Sequence, residues 1–98
     1  MSSPVLTVVS ATVTEDGHER LIGGFQELLT GGFPDGLLRT ELLQGLDDRW
    51  CIQTLWRDRA ALEAMRAGSE PPAAPTLFRS VGSEPSLEIW DVVSGSTT

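Results

Sequence analysis

The chain lacks several residue types on which enzymes commonly depend. Its 98 residues contain no lysine, tyrosine or asparagine, one histidine (His18) and one cysteine (Cys51). Without lysine no Schiff base can form within the chain, and without tyrosine no phenol can donate a proton. One histidine and one cysteine do not supply the ligands of a multi-His or multi-Cys metal site. The sequence therefore predicts no metal site, and one cysteine forms no disulfide within the chain.

Basic residues are also scarce: the chain has 7 arginines and 14 acidic residues, and its net charge is −7. A negative field repels nucleic acid and anionic membrane surfaces, so neither is an expected partner. The first apolar run, 5–9, is interrupted by Thr7 and is too short for a signal-peptide core or a membrane span. A single cysteine suits a reducing compartment. The sequence therefore predicts a cytoplasmic protein.

Apolar spacing predicts the order strand, helix, strand, strand, helix, strand. The strands are expected over 5–13, 37–44, 49–56 and 86–93, the first helix before Gly31, and the second over about 59–67. Asp16 and Glu19 have the spacing of a capping box at the start of the first helix. Residues 69–75 are predicted as a loop and 76–81 as one helical turn. One domain is expected over 1–98, with its core in 5–93 and a flexible tail at 94–98.

This order of elements predicts an α+β fold: a ferredoxin-like, four-stranded antiparallel sheet with helices on one face. The third strand is apolar on both faces, because Ile52 and Trp56 share one parity while Cys51 and Leu55 share the other. An uncovered apolar sheet face is a patch that a soluble monomer rarely exposes. We therefore expect a homodimer in which sheet packs against sheet.

The most distinctive stretch is Trp56-Arg57-Asp58 followed by Ala60-Ala61-Leu62-Glu63-Ala64. Together with 33–37 and the closing segment 87–93, it resembles the antibiotic biosynthesis monooxygenase family of the dimeric α+β barrel superfamily. The resemblance covers residues 5–93 and implies a dimer whose two sheets form a barrel. It also implies a ligand pocket in each monomer, between the helices and the sheet. The superfamily includes haem-degrading enzymes, cyclases and proteins of unknown role, so the fold leaves the activity open.

The best-known members of this family oxidise polycyclic aromatic phenols to quinones with molecular oxygen. They use no metal or flavin, because the substrate itself supplies the electrons. The resemblance thus implies a cofactor-independent monooxygenase that acts on a hydrophobic aromatic or polyketide-type small molecule, with no cofactor. A polyketide cyclase or isomerase, and a non-catalytic dimeric domain that binds a small molecule, are the alternative predictions.

Trp56 matches the tryptophan that lines the pocket in quinone-forming members. The resemblance implies a catalytic residue whose ring stacks on an aromatic ligand and whose indole N–H donates to a carbonyl or peroxide oxygen; a packing residue of the fold is the alternative. Those members carry an asparagine four residues earlier, where this chain has Ile52. Its aliphatic side chain cannot hold an oxyanion, so the resemblance implies that Ile52 only contacts the substrate. Haem-degrading members carry an asparagine on the first strand and a histidine on the second helix. Near the position of that asparagine this chain has Ser10, which the resemblance implies as a substrate-binding residue. No histidine follows His18, which argues against haem degradation.

Four further residues are candidates for the site. Arg79 lies in the region where quinone-forming members carry a pocket arginine, so it could stabilise a phenolate or enolate; a surface ion pair is the alternative. His18 is of the type that most often serves as a general base, and an exposed turn residue is the alternative. Phe25 and Phe78 lie on helical segments expected to face the sheet, and both are predicted to line the pocket.

Overall fold

The computed structural model describes residues 3–96. Within them the elements are β1 (Val5–Thr12), α1 (His18–Thr30), β2 (Leu37–Gln44), β3 (Arg49–Trp56), α2 (Arg59–Arg66), α3 (Ala73–Ser80) and β4 (Ser86–Asp91). A 3-10 turn, Glu15–Gly17, precedes α1. β1 ends one residue and β4 two residues before the predicted ends. The predicted tail 94–98 falls partly outside the description, because residues 97 and 98 are not among those described.

The four strands form one antiparallel sheet in the order β2-β3-β1-β4. This topology confirms the predicted ferredoxin-like α+β fold. The β2–β3 hairpin turns at Asp47 and Asp48, whose φ angles are 55° and 63°. Positive φ at both central residues matches the right-handed twist of the strands, and the Arg49 N–H closes the turn on the Leu46 carbonyl at 3.1 Å.

The helix starts differ in how well the sequence predicted them. α2 begins as expected, because the Asp58 carboxylate accepts a hydrogen bond from the Ala61 N–H at 2.8 Å. The predicted capping box of α1 does not form: Gly17 is the N-cap, and the Asp16 carboxylate instead accepts from the Thr14 hydroxyl. That hydrogen bond lowers the pKa of Asp16.

The segment predicted as a loop and a single turn contains a complete helix. α3 begins at Ala73, directly after Pro72, and includes Pro75 in its first turn. The prediction of a loop over 69–75 is therefore wrong for residues 73–75, which are helical. A proline in the first helical turn sacrifices no hydrogen bond, because the N–H groups there have no partner within the helix.

The buried core lies between the helices and one face of the sheet. Its larger cluster contains Val9, Val13, Leu21, Phe25, Trp50, Ile52 and Phe78. A smaller cluster contains Val5, Trp56, Ala61 and Leu62. Two clusters, rather than one continuous core, leave room for the cavity described below.

The opposite face of the sheet carries an apolar row. Strand register places Leu55, Leu6 and Trp90 side by side across β3, β1 and β4. Trp90 is 54% exposed. We call these three residues the open-face row. In residues 3–96 no helix is long and apolar enough to cross a membrane.

Candidate functional site

A cavity of about 240 Å³ lies between the helix-facing side of the sheet and the helices. The sheet contributes Thr7, Val9, Leu37, Thr40, Ile52, Thr54, Trp56, Leu87 and Ile89. The helices and loops contribute Phe25, Leu28, Gly32, Phe33, Pro34, Leu62, Met65, Arg66, Pro72, Ala73, Ala74 and Pro75. This lining is predominantly apolar, as is typical of small-molecule pockets.

Trp56 forms a fixed wall of the cavity at the end of β3. It is 3% exposed, and its indole N–H donates a hydrogen bond to the Thr7 hydroxyl at 3.2 Å. The Thr7 hydroxyl in turn donates to the Thr54 carbonyl at 3.4 Å. The indole is therefore held by the sheet. It offers a ligand its ring, while its N–H is already engaged within the protein.

Three threonines form a polar row across the cavity floor. The register places Thr40, Thr54 and Thr7 opposite one another on β2, β3 and β1, and Thr7 and Thr54 are each 7% exposed. The hydroxyl oxygens of Thr40 and Thr54 lie 2.9 Å apart, within hydrogen-bonding distance. The row adds hydroxyl groups to a lining that is otherwise almost entirely apolar.

Arg66 is the one charged side chain among the described residues that line the cavity. Its side chain is 44% exposed, which places it at the mouth. The guanidinium lies 3.8 Å from the Glu63 carboxylate, and a long contact between two exposed groups holds a side chain weakly. Arg66 is therefore weakly restrained by its one ion pair in the described residues.

The turn between the lining residues Pro34 and Leu37 is held against the start of α2. Gly36 has φ +87°, and a Cβ built there would collide with the Cβ of Ala61. The Gly36 carbonyl accepts a hydrogen bond from the Arg57 N–H at 2.7 Å. The Arg57 guanidinium also lies 3.3 Å from the Asp35 carboxylate, and this interaction raises the pKa of Arg57. The segment 34–36 is thus held in one position.

The chemistry of this lining is limited. Among the described lining residues there is no carboxylate, imidazole or thiol, so no side chain there takes up a proton near neutral pH. Uncharged hydroxyls alone are poor ligands for a metal ion. The lining is suited to bind an apolar ring, exclude water, donate a hydroxyl hydrogen and attract an anion.

The structure brings three of the residues named from the sequence together: Trp56, Ile52 and Phe25 all line the cavity. Phe78 does not line it. Phe78 is fully buried in the larger core cluster, because α3 turns it inward.

The structure places His18, Arg79 and Ser10 away from the cavity lining. The Nε2 atom of His18 lies 2.8 Å from the Val13 carbonyl. A carbonyl only accepts hydrogen bonds, so this nitrogen carries the proton and donates it there. The ring also packs edge-on against Trp50, with 5.0 Å between centroids.

Arg79 and Ser10 are near the surface. The Arg79 guanidinium is exposed and lies 3.8 Å from the Glu84 carboxylate. Ser10 is on the other face of the sheet, where its hydroxyl oxygen lies 3.3 Å from that of Ser86. The sequence left two alternatives for Arg79, a role in the pocket and an ion pair at the surface. The structure shows the ion pair at the surface.

Thr7, Thr40, Thr54 and Arg66 were not predicted as site residues. A signal for two of them was present, because Thr7 and Thr54 have the same parity as the apolar residues that face the helices. A threonine whose side chain faces the helices from an otherwise apolar strand is a buried polar group, and such a group is a candidate site residue. No comparable signal identifies Arg66, which ends a polar-faced helix as many arginines do.

The fold and the cavity define a class of protein: a ferredoxin-like α+β domain with a predominantly apolar cavity between sheet and helices. The sequence matches no family model and no curated protein. Solved structures do match, and they include the antibiotic biosynthesis monooxygenase type that the sequence resembles.

Three of these structures illustrate the range of the fold. A mutant of SnoaB, a cofactor-independent oxygenase from Streptomyces nogalater, has 18% identity, a TM-score of 0.75, and coverage of 96% of this chain and 97% of that chain. The haem-degrading protein Rv3592 from Mycobacterium tuberculosis has 19% identity, a TM-score of 0.74, and full coverage of both chains (100% each). A "putative antibiotic biosynthesis monooxygenase" from Caulobacter crescentus has 16% identity, a TM-score of 0.74, and coverage of 95% and 92%. At these identities the likeness establishes the fold and leaves the activity open.

Proposed function

We propose that this chain is a monooxygenase-like protein that binds a hydrophobic aromatic or polyketide-type molecule and oxidises it with O2, without a cofactor. The observation that carries the proposal is the cavity itself, an apolar chamber with Trp56 as a fixed wall and Arg66 at its mouth. Its volume, about 240 Å³, lies just below the roughly 300–1,000 Å³ common for ligand pockets. The ligand is accordingly compact, of the size of a few fused rings.

Such an oxidation needs little chemistry from the protein. The ionised ring passes an electron to O2, one oxygen atom adds to the ring carbon, and the other leaves as water with the two hydrogens of that carbon. With anthrone as substrate, anthrone and O2 give anthraquinone and water, and the electrons balance without an external reductant. The protein's part is to hold the ring against Trp56 and to stabilise the anion with Arg66.

The lack of a base in the lining has a measurable consequence. Because no described lining residue accepts a proton near neutral pH, the substrate must lose its proton to solvent. The rate of oxidation is therefore expected to rise with pH along the ionisation curve of the substrate itself. A profile that instead keeps one midpoint for substrates of different acidity would show that a protein group deprotonates them.

The oxygenation is tested by measuring O2 uptake with anthrone in buffer containing a chelator. The protein is expected to accelerate uptake over heat-denatured protein, and Arg66→Gln to slow it about tenfold or more, because a charge-assisted contact is lost. Arg79→Gln is the matched control and should retain full activity, since Arg79 lies outside the lining. Uptake equal to that of denatured protein would contradict the proposal.

A non-catalytic binding domain is the second candidate. It is favoured by one observation: the lining formed by residues 3–96 offers a binding surface, but no acid–base group and, at Ile52, no polar side chain. Binding of the aromatic probe without a product, with or without O2, would establish it. A cyclase or isomerase, which needs acid–base groups, is less well supported by the same lining; anaerobic turnover of a polyketide would reveal it.

We also propose that two copies of the chain form a homodimer through the open-face row. Leu6, Leu55 and Trp90 form an apolar strip on the sheet face opposite the helices, and Trp90 is half-exposed in the single chain. A second copy of the same face would cover the strip symmetrically.

Sedimentation tests the dimer. The unmodified chain is expected to sediment as a dimer at micromolar concentration, and Trp90→Arg as a monomer, because the charge would be buried in the interface. Leu46→Arg is the control, since Leu46 is 84% exposed at the tip of the β2–β3 hairpin. A folded monomer of the unmodified chain at that concentration would overturn the dimer.

A further inference from the structure

We infer that the hydroxyl pair formed by Thr40 and Thr54 binds an oxygen atom of the ligand. The cavity would then select a hydrophobic molecule that bears a carbonyl or phenolic oxygen. This inference rests on the small-molecule site proposed above and names the chemical class of its ligand.

The hydroxyl pair lies within the cavity lining. Thr40 and Thr54 are opposite each other on β2 and β3, and both line the cavity. Their hydroxyl oxygens are 2.9 Å apart. Thr54 is 7% exposed, so its hydroxyl has little access to bulk water.

Counting the indole and hydroxyl hydrogens on the cavity floor shows which of them remains free to donate to a ligand. The Trp56 N–H is used by Thr7, and the Thr7 hydroxyl hydrogen is used by the Thr54 carbonyl. Thr40 and Thr54 carry two hydroxyl hydrogens, and their mutual hydrogen bond uses one. The other has no acceptor among the hydrogen bonds of the described residues, and it belongs to a pair that faces the cavity. An oxygen atom of a ligand is the acceptor that would complete the network.

The residue rows on either side of the hydroxyl pair determine where on the cavity floor a ligand oxygen would lie. On one side lies the row of Leu42, Ile52, Val9 and Leu87, which is entirely apolar. On the other side lies the row that contains Trp56. Threonine is not needed there for the strand alone, because valine has the same shape and a comparable β propensity. A ligand oxygen on the pair therefore lies one row away from the indole, while its apolar rings extend over the rest of the floor.

The test compares two probes with the same three-ring skeleton, anthrone, which carries an oxygen, and anthracene, which does not. Affinities are measured by titration under nitrogen, so that no oxidation occurs. In the double variant Thr40→Val/Thr54→Val, the dissociation constant for anthrone should rise about fivefold or more, as expected for the loss of one hydrogen bond. The dissociation constant for anthracene should stay within about twofold.

Two control proteins separate loss of the hydroxyls from loss of packing. Thr40→Ser/Thr54→Ser keeps both hydroxyls and is expected to keep the unmodified ratio of the two affinities. Thr12→Val makes the same change at an exposed strand position outside the lining and should change neither affinity. Because either hydroxyl alone still carries a hydrogen, each single valine variant should lose less of the anthrone affinity than the double variant.

The possible outcomes are distinct. A double valine variant that binds both probes as the unmodified protein does, or that weakens both equally, would overturn the inference and leave the binding site standing. Failure of the unmodified protein to bind either probe would overturn the inference together with the proposed site. Selective loss of anthrone binding, even in a protein that consumes no O2, would support the inference while the oxygenation fails.

Discussion

Trp50 and Trp56 differ in role although they occupy nearly equivalent positions. Both are on β3, point to the same face of the sheet and are almost completely buried, at 5% and 3% exposure. Trp50 packs into the larger core cluster, in a T-shaped contact with the His18 ring. Trp56 borders the cavity and packs with the smaller cluster.

The indole N–H groups show the same contrast. That of Trp56 has an acceptor in the Thr7 hydroxyl, whereas that of Trp50 has no hydrogen-bond partner among the described residues. A buried donor without a partner costs free energy, and this cost is tolerated where dense packing offsets it. Burial therefore does not distinguish a structural tryptophan from one at a site. The neighbours of the ring do.

The largest expected effect is on stability, when each ring is removed in turn. Trp50→Ala should lower the free energy of unfolding by about 3–5 kcal/mol, because it empties a packed core position. Trp56→Ala should cost less, since one side of its ring already faces the cavity. Urea unfolding of the two variants measures both values. Equal losses would show that the ring of Trp56 is as tightly packed as that of Trp50.

An intermediate effect is expected from removing the partner of the Trp56 N–H. Thr7→Val leaves that buried donor without an acceptor and should cost about 1–3 kcal/mol in the free energy of unfolding. Thr12→Val, at an exposed position on the same strand, should change it by less than about 0.5 kcal/mol. In a Trp56→Phe background the Thr7→Val substitution should cost much less. Equal costs in both backgrounds would rule out the hydrogen bond as the cause.

The smallest effect on stability, and the sharpest on function, is expected from phenylalanine substitutions. Trp50→Phe should cost less than about 1.5 kcal/mol, because it keeps an aromatic ring and removes the unpaired N–H. It should leave anthrone affinity and the quenching of tryptophan fluorescence by anthrone unchanged. Trp56→Phe should weaken binding and abolish most of that quenching. Quenching retained in Trp56→Phe would place the ligand elsewhere.

The sequence predicted the sheet better than it predicted the site. β2 and β3 were predicted residue for residue, because the aromatic and β-branched residues of β3 and the Gly-Leu-Asp-Asp turn are local signals. α3 was missed in part, because Pro71, Pro72 and Pro75 together indicate a loop, although Pro75 falls in the first turn of the helix. Trp56 and Ile52 were identified as site residues from the family resemblance, and Phe25 from its place on a helical segment expected to face the sheet.

The two arginines illustrate what remained beyond the sequence. Arg66 and Arg79 each lie in the last turn of a short helix. Arg66 reaches the cavity mouth, whereas Arg79 meets Glu84 at the surface. Which of them faces the cavity depends on how α2 and α3 are rotated over the sheet. That rotation is set by long-range packing, for which a single sequence carries no local signal.

Gly36 also constrains how this protein can adapt. Since the backbone there rests directly on Ala61, no larger residue fits without displacing α2, and the turn between the lining residues Pro34 and Leu37 cannot be changed at Gly36 by simple substitution. Pro72 and Ala73 also line the cavity, and neither has a positive φ angle. Descendants of this chain that accept bulkier molecules would be expected to differ there first.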